Sequence, residues 1–385
     1  MMTEMNRETI MVTRTSLPPF EEYEAMIRRL WDTHYITNMG MYHEELKEKL
    51  KEYLGVRETE LFVNGHMALE LLLQAEELRG EVITTPFTFA STVHAICRNG
   101  LTPVMCDVCE TDGTINADEI ERHITKNTCA IVPVHVYGRV CDDEKIESIA
   151  AAYGLRVYYD AAHAFGETIG KPDGSTVSVA SLGNASMLSF HATKVFHTIE
   201  GGAVVWNPDR EPGLGDVLYK IKNFGITGKE NVAYIGSNAK LNEFSAAMGL
   251  CNLRHIEEWI AARAAAAARY RENLKGAAGV RIPAERPEVR SNHAYMPVIL
   301  DPVKYSRDEV YERMCAAGIF PRKYFYPLAT EYECYRGRFD TEALSVARYF
   351  SEHVLTLPIY PELAPEEIDR ICEILTEKRG TAIYM

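Results

Sequence analysis

From about residue 60 to residue 206 the chain alternates short apolar runs with amphipathic stretches. Seven runs have the length and composition of buried strands. They are ELFV at 60–63, EVITT at 81–85, TPVMCDV at 102–108, CAIVPVHVYG at 129–138, LRVYYD at 155–160, SMLSF at 186–190 and GAVVW at 202–206. Between them, MALELLLQAEEL at 67–78 and DEKIESIAAAYG at 143–154 carry apolar residues at helical spacing. Strands of this kind separated by helices predict an α/β fold around a mostly parallel sheet. In such sheets ligands bind beyond the carboxyl ends of the strands, so the residues that follow each run are the ones to inspect.

The last third has another rhythm. HIEEWIAARAAAAARYRENLKG at 255–276 reads as one long helix ending at Gly276, with alanines that suit close helix packing. Strand-like HAYMPVIL at 293–300, a helix near 306–317 and a final helix at 365–378 follow. We expect a large α/β domain over 1–250 and a smaller α+β domain over 251–385. The junction falls near 245–260, inside a helix, and the first ~30 residues are free to pack on the small domain.

Composition narrows the function more than the fold. With 46% hydrophobic and 25% charged residues the chain is an ordinary globular sequence. Its formal charge of −14 argues against a general nucleic-acid or anionic-membrane binder. An anionic substrate must then be met by local cations. No apolar run approaches the roughly 20 residues of a membrane span, and MMTEMNRETIMVTR lacks a signal-peptide core. Nine scattered cysteines read as reduced thiols of a cytoplasmic protein. Cys106 and Cys109 form one C-x-x-C, but no second pair completes a zinc set, and no metal is expected.

Three strand ends carry candidate chemistry. After ELFV, Gly65 turns the chain into a helix whose first amides suit a phosphate. After LRVYY, Asp160 enters small, apolar DAAHAFG, and a buried carboxylate needs a positive partner to stay ionised. After SMLSF comes SFHATKVFHTIEGG, where Lys194 stands four residues beyond the strand. By position alone that lysine is somewhat more readily a surface residue than a reactive one. Taken with Asp160 and the helix start, it completes the set that pyridoxal 5′-phosphate requires: an amine for the carbonyl, a carboxylate for the pyridine nitrogen and donors for the phosphate.

The order NGHMAL, TPFTFAST, DAAHAFG, SFHATK, EGGA and GSNAKLNEFSAAMGL resembles the DegT/StrS-type nucleotide-sugar aminotransferases, from about residue 15 to the C-terminus. The resemblance implies the PLP-dependent transferase fold type I. Its sheet is seven-stranded, mixed and mostly parallel. The cofactor is pyridoxal 5′-phosphate, with pyridoxamine 5′-phosphate as the alternate form. It implies Lys194 as the lysine that carries the cofactor, Asp160 at the pyridine nitrogen, Phe89 stacked on the ring and His163 close to it. Ser189 and the Gly65–His66 turn match phosphate-binding positions. Asn238 matches a residue that reaches the other subunit's cofactor, which implies a homodimer with shared active sites. His66 departs from the family, which usually has Thr there, so an imidazole must replace the hydroxyl or point away.

SFHATKVFHTIEGG and RKYFYP look most like the members acting on dTDP-4-keto-6-deoxy-D-glucose, with L-glutamate as donor, to give dTDP-4-amino-4,6-dideoxy-D-glucose. Arg322, Lys323, Tyr324 and Tyr326 are then candidates for the nucleotide-linked keto-sugar, and Thr37 and Asn38 for the pocket wall. The alternatives are a 3-keto-6-deoxy or UDP-linked 4-keto sugar, or a non-catalytic regulatory member. Dehydratase members carry His in place of the lysine, and Lys194 argues against that chemistry. A metal site on His191 and His197 would leave Asp160 without a role.

Overall fold

A computed structural model describes residues 9–377. Residues 1–8, the larger part of the stretch read as lacking a signal peptide, and 378, the expected last residue of the final helix, lie outside that range.

All seven apolar runs become strands of one sheet: β1 (Glu58–Phe62), β2 (Glu81–Thr84), β3 (Thr102–Met105), β4 (Thr128–Ile131), β5 (Arg156–Asp160), β6 (Ala185–Ser189) and β7 (Gly202–Trp206). Their spatial order is β1-β7-β6-β5-β4-β2-β3, with β7 alone antiparallel to its neighbours. Central residues such as Ile83, Ile131, Val157 and Leu188 are fully buried, because helices cover both faces. The TPVMCDV and CAIVPVHVYG runs are shorter as strands than as patterns; in the second, pairing goes on past Pro133 only as a bridge of Val134 to Asp160 before the turn at Val136–Gly138.

Ten helices complete the described chain. α1 (Phe20–Thr33) and α2 (Met41–Leu54) precede the sheet; α3 (Gly65–Ala75), α4 (Ala90–Arg98), α5 (Asp143–Tyr153) and α6 (Leu214–Ile221) accompany it. α7 (Glu243–Asn273) then leads to α8 (Arg307–Ala316), α9 (Ser345–His353) and α10 (Pro365–Thr376). α7 begins twelve residues before the expected start. Its first turns, EFSAAMGLCN, are buried almost all round, so they lack the polar face that marks a surface helix. The Asn242 side chain caps it by accepting from the Ser245 amide at 2.9 Å.

The second half of α7 packs into a separate core. Ala266, Ala267 and Tyr270 meet Met296, Val298 and Leu300 of β9 (Met296–Leu300), which lies between β8 (Val280–Arg281) and β10 (Val354–Leu357). The N-terminal Ile10 joins this core, and its strand pairs in parallel with Ile319–Phe320. Asp107, just beyond β3, reaches across and accepts from the Val346 and Ala347 amides at the start of α9, at 2.9 and 2.7 Å. A carboxylate of the sheet half thus caps a helix of the C-terminal half. Cys106 and Cys109 turn their sulfurs to the Asn116 and Ile115 carbonyls.

Candidate active site

The six parallel strands bring their carboxyl ends to one edge of the sheet, where a cavity of about 420 Å³ opens. Gly65, His66, Phe89, Asp160, His163, Ser189, Lys194, Arg322 and Tyr324 all line it.

Gly65 is there for lack of a side chain. A Cβ on it would stand 2.9 Å from Ser189 Cβ, and one on Gly202 would stand 2.5 Å from the Gly65 nitrogen. The two glycines let the start of α3 sit against β6 and β7. The Asn64 side chain accepts from the Met67 amide at 2.8 Å. The Gly65 and His66 amides occupy the first two helical positions, which no intrahelical carbonyl faces. Ser189 ends β6 directly beside them.

Asp160 ends β5 and is 5% exposed. Thr92 donates to its Oδ2 at 2.7 Å, and the Ala162 amide to its Oδ1 at 3.1 Å. Thr92 has one hydroxyl proton, so Thr88, 2.8 Å away, is the donor to Thr92 in a Thr88–Thr92–Asp160 relay. Burial raises the carboxyl above its ordinary range, and the two donors and then Lys194 only partly offset this. A cation opposite Asp160 would favour its ionised form.

Lys194 hangs on a loop that closes on itself, with the Phe190 amide on the Gly201 carbonyl at 2.8 Å and the Thr198 amide on the Phe190 carbonyl at 2.9 Å. Burial pushes its amine down to about 8, against the opposing pull of Asp160 and Tyr324. His163 Nδ1 accepts from the Tyr137 amide at 2.9 Å, which places its remaining proton on Nε2. Burial and Lys194 hold that imidazole neutral. Phe89 offers a ring that is 58% exposed over the cavity mouth.

His66 neither faces solvent freely nor reaches Ser189. Its Nδ1 lies 2.9 Å from Ser91 Oγ and its Nε2 3.1 Å from Glu70, which also binds Arg98 at 2.6 Å. The imidazole is thus built into the wall. His191 pairs with Thr193 and lies 3.5 Å from Glu200, whereas His197 is buried and 2.6 Å from the Ser16 carbonyl. The two histidines belong to different surroundings.

Other sequence candidates lie outside this cavity. Lys323 pairs with Asp308 at 2.6 Å, and Tyr326 carries the Arg307 guanidinium on its ring. Thr37 and Asn38 sit in an exposed turn where Tyr35 donates to the Asn38 carbonyl. Asn238 is exposed and accepts from Lys240 at 2.7 Å.

Sequence reasoning missed Thr92 and Tyr295, which also lines the cavity. Thr92 carried a usable signal, a hydroxyl in the first turn of the helix that follows β2. Tyr295 carried none, since it reaches Lys194 from 101 residues away.

The DegT/DnrJ/EryC1/StrS aminotransferase family matches residues 20–376. The chain belongs to this family. It is 41% identical over 378 residues to a dTDP-4-amino-4,6-dideoxy-D-glucose transaminase of Escherichia coli, covering 97% of this chain and 100% of that one. The crystal structure of DesI with its TDP-sugar product superposes with a TM-score of 0.89 at 34% identity, over 96% of this chain and 92% of that one. The PLP form of the putative sugar aminotransferase Spr1654 from Streptococcus pneumoniae gives 0.85 at 25% identity, over 94% and 97%. As a DegT/DnrJ/EryC1/StrS aminotransferase the chain has the PLP-dependent transferase fold, and its cofactor is pyridoxal phosphate. The geometry fits that group. The glycine-lined helix start leaves room for a phosphate, the depressed amine of Lys194 suits a carbonyl, and the buried, under-compensated Asp160 suits a protonated ring nitrogen.

Proposed function

We propose that this aminotransferase moves an amino group from L-glutamate to dTDP-4-keto-6-deoxy-D-glucose, giving dTDP-4-amino-4,6-dideoxy-D-glucose. The observation that carries the reading is the meeting, in one cavity, of a desolvated amine shifted to about 8 on a half-buried lysine and a buried carboxyl at neighbouring strand ends. The sugar is supported by the full-length likeness to the Escherichia coli enzyme.

Lys194 would carry the cofactor, Asp160 would face its ring nitrogen, and Phe89 and His163 would flank the ring. Ser189 and the Gly65 and His66 amides would hold the phosphate. Bound there, the cofactor supplies an electron sink for charge that develops beside the transferred nitrogen. Lys194, neutral in about half the molecules near pH 8, would take a proton from one carbon and deliver it to another. Thr88 and Thr92 keep Asp160 oriented. Arg322, whose guanidinium lies 5.3 Å over the Tyr324 ring, meets the anionic part of the substrate.

Asn238 lies on an exposed stretch with Phe224, Ile226, Val232 and Ile235, which are 48%, 40%, 64% and 89% exposed. That apolar surface favours a second copy of the chain as its cover, with Asn238 serving the neighbour's cavity.

The test offers the purified protein glutamate with dTDP- and UDP-linked 4-keto and 3-keto sugars and follows 2-oxoglutarate. Turnover is expected first with the dTDP-linked 4-keto sugar. A preference for a 3-keto or UDP-linked sugar would move the substrate assignment, and a colourless protein indifferent to added PLP would sink the enzyme reading.

A further inference from the structure

The C-terminal half sends one hydroxyl to the reactive amine. Tyr295 immediately precedes β9, and Lys194 Nζ donates to its Oη at 3.4 Å while lying 5.8 Å from its ring centroid. Tyr295 is itself fixed on several sides. His163 packs 4.5 Å from it, and the rings of Tyr137 and Tyr324 lie at 6.0 and 6.2 Å. The backbone just before it is anchored to the loop that carries Asp160 and His163. Asn292 donates to the His163 and Phe165 carbonyls at 2.8 and 3.0 Å, and Glu167 accepts from the Asn292 amide at 3.1 Å. The hydroxyl is therefore held in register with the sheet half rather than hanging from a loose loop.

Any proton transfer by Lys194 requires its amine to be free, and a free amine on a four-carbon stem has many rotamers. We propose that Tyr295 is a positioning residue for Lys194, its hydroxyl holding the amine in place while that amine gives and takes protons. A phenol suits the task because it accepts from an ammonium and donates to a neutral amine, so the contact survives both states. The other titratable or charged groups around this cavity are Asp160, Tyr324, Arg322, His163, His66, His191 and Glu200. Among the described contacts the hydrogen bond of Lys194 Nζ goes to Tyr295 and to none of these.

The inference rests on Lys194 being the reactive lysine, and its test separates the two. In the holoenzyme converted to its pyridoxamine form with glutamate, acetic anhydride labels Lys194 according to its charge, read by peptide mass spectrometry without turnover. Tyr295→Phe keeps the ring and removes the hydroxyl, so the ammonium loses an acceptor. Labelling at fixed pH should rise about threefold, the half-unit fall expected for one lost contact. Alongside it, kcat should fall about tenfold with the glutamate KM within about twofold, and the acidic limb of the pH–rate profile should move the same way. Tyr295→His, which retains a ring with a hydrogen-bonding edge, should recover part of kcat. A Tyr295→Phe enzyme with wild-type labelling and pH profile overturns the proposal even if its rate is lower. Failure of glutamate to change the wild-type spectrum would instead overturn the underlying assignment of Lys194.

Discussion

At the scale of single residues, the cavity separates two roles that both depend on burial. Lys194 loses its charge readily because it is desolvated, and Asp160 keeps its charge reluctantly for the same reason. A base must be neutral to accept a proton, so the rate should climb as pH rises through about 8 and level off above it. A kcat profile flat across that region would remove Lys194 as the base. Lys194→Ala should lose transamination by about 10³-fold or more while the protein still binds cofactor non-covalently; turnover near wild type would refute the assignment. Asp160→Asn leaves Thr92 a partner but removes the charge, and the holoenzyme should lose most of its rate with little change in melting temperature. The sequence singled out these two residues because Asp160 ends an apolar run and Lys194 follows one by four residues, and the structure brings both to one cavity. Tyr295 was not, because its meaning lies in a contact made across 101 residues. His66 was half legible: its departure from the usual Thr was visible, but the Ser91 and Glu70 partners that hold it in the wall were not.

At the scale of elements, the approach of α3 to β6 and β7 is set by Gly65 and Gly202. Gly65→Ala would press a methyl onto Ser189 Cβ at 2.9 Å, and β6, paired on both sides, cannot yield. We expect weaker PLP binding, read as a higher dissociation constant by fluorescence titration, with the fold retained; unchanged affinity would mean the helix start does not hold the phosphate. Glu167 links the Asp160 loop to the segment before β9. Burial raises its carboxyl to about 8, and its Oε2 has no hydrogen-bond partner among the described residues. Its folded value thus lies above its ordinary 4.5, so the folded state holds the extra proton and stability drains away as pH rises from 4.5 through 8. Glu167→Gln, which cannot ionise, should flatten the fall in melting temperature across that range, and an undiminished fall would clear Glu167 of responsibility. The seven strands were easy to foresee, since strands buried on both faces read as continuous apolar runs. The start of α7 was harder for the opposite reason, as its all-round burial erased the helical period.

At the scale of the whole molecule, we propose a division within α7, consistent with the separate core that gathers around its second half. The alanine-rich stretch was visibly one helix in the sequence. The sequence did not carry the contacts that bind the halves, such as Asp107 on the start of α9, because a cap formed 239 residues away leaves no local pattern. The same limit applies to assembly. If a second copy covers the apolar stretch around Asn238, light scattering should give twice the chain mass, and Ile235→Asp should lower both that mass and cofactor retention. A monomer with full activity would refute a shared site.

The length of α7 has a mechanical consequence. Thirty-one residues make a rod of about 46 Å, seated at its first turn where Glu243 accepts from the Tyr42 and His43 amides. A tilt of about two degrees about that seat would swing its far end by roughly 1.6 Å. The rod carries Tyr270 into the core that includes β9, whereas Tyr295, the residue just before β9, packs in the core of the sheet half. The chain passes from one core to the other between Tyr295 and Met296, so any such tilt would bear on that single peptide step while the hydroxyl stays with the sheet half.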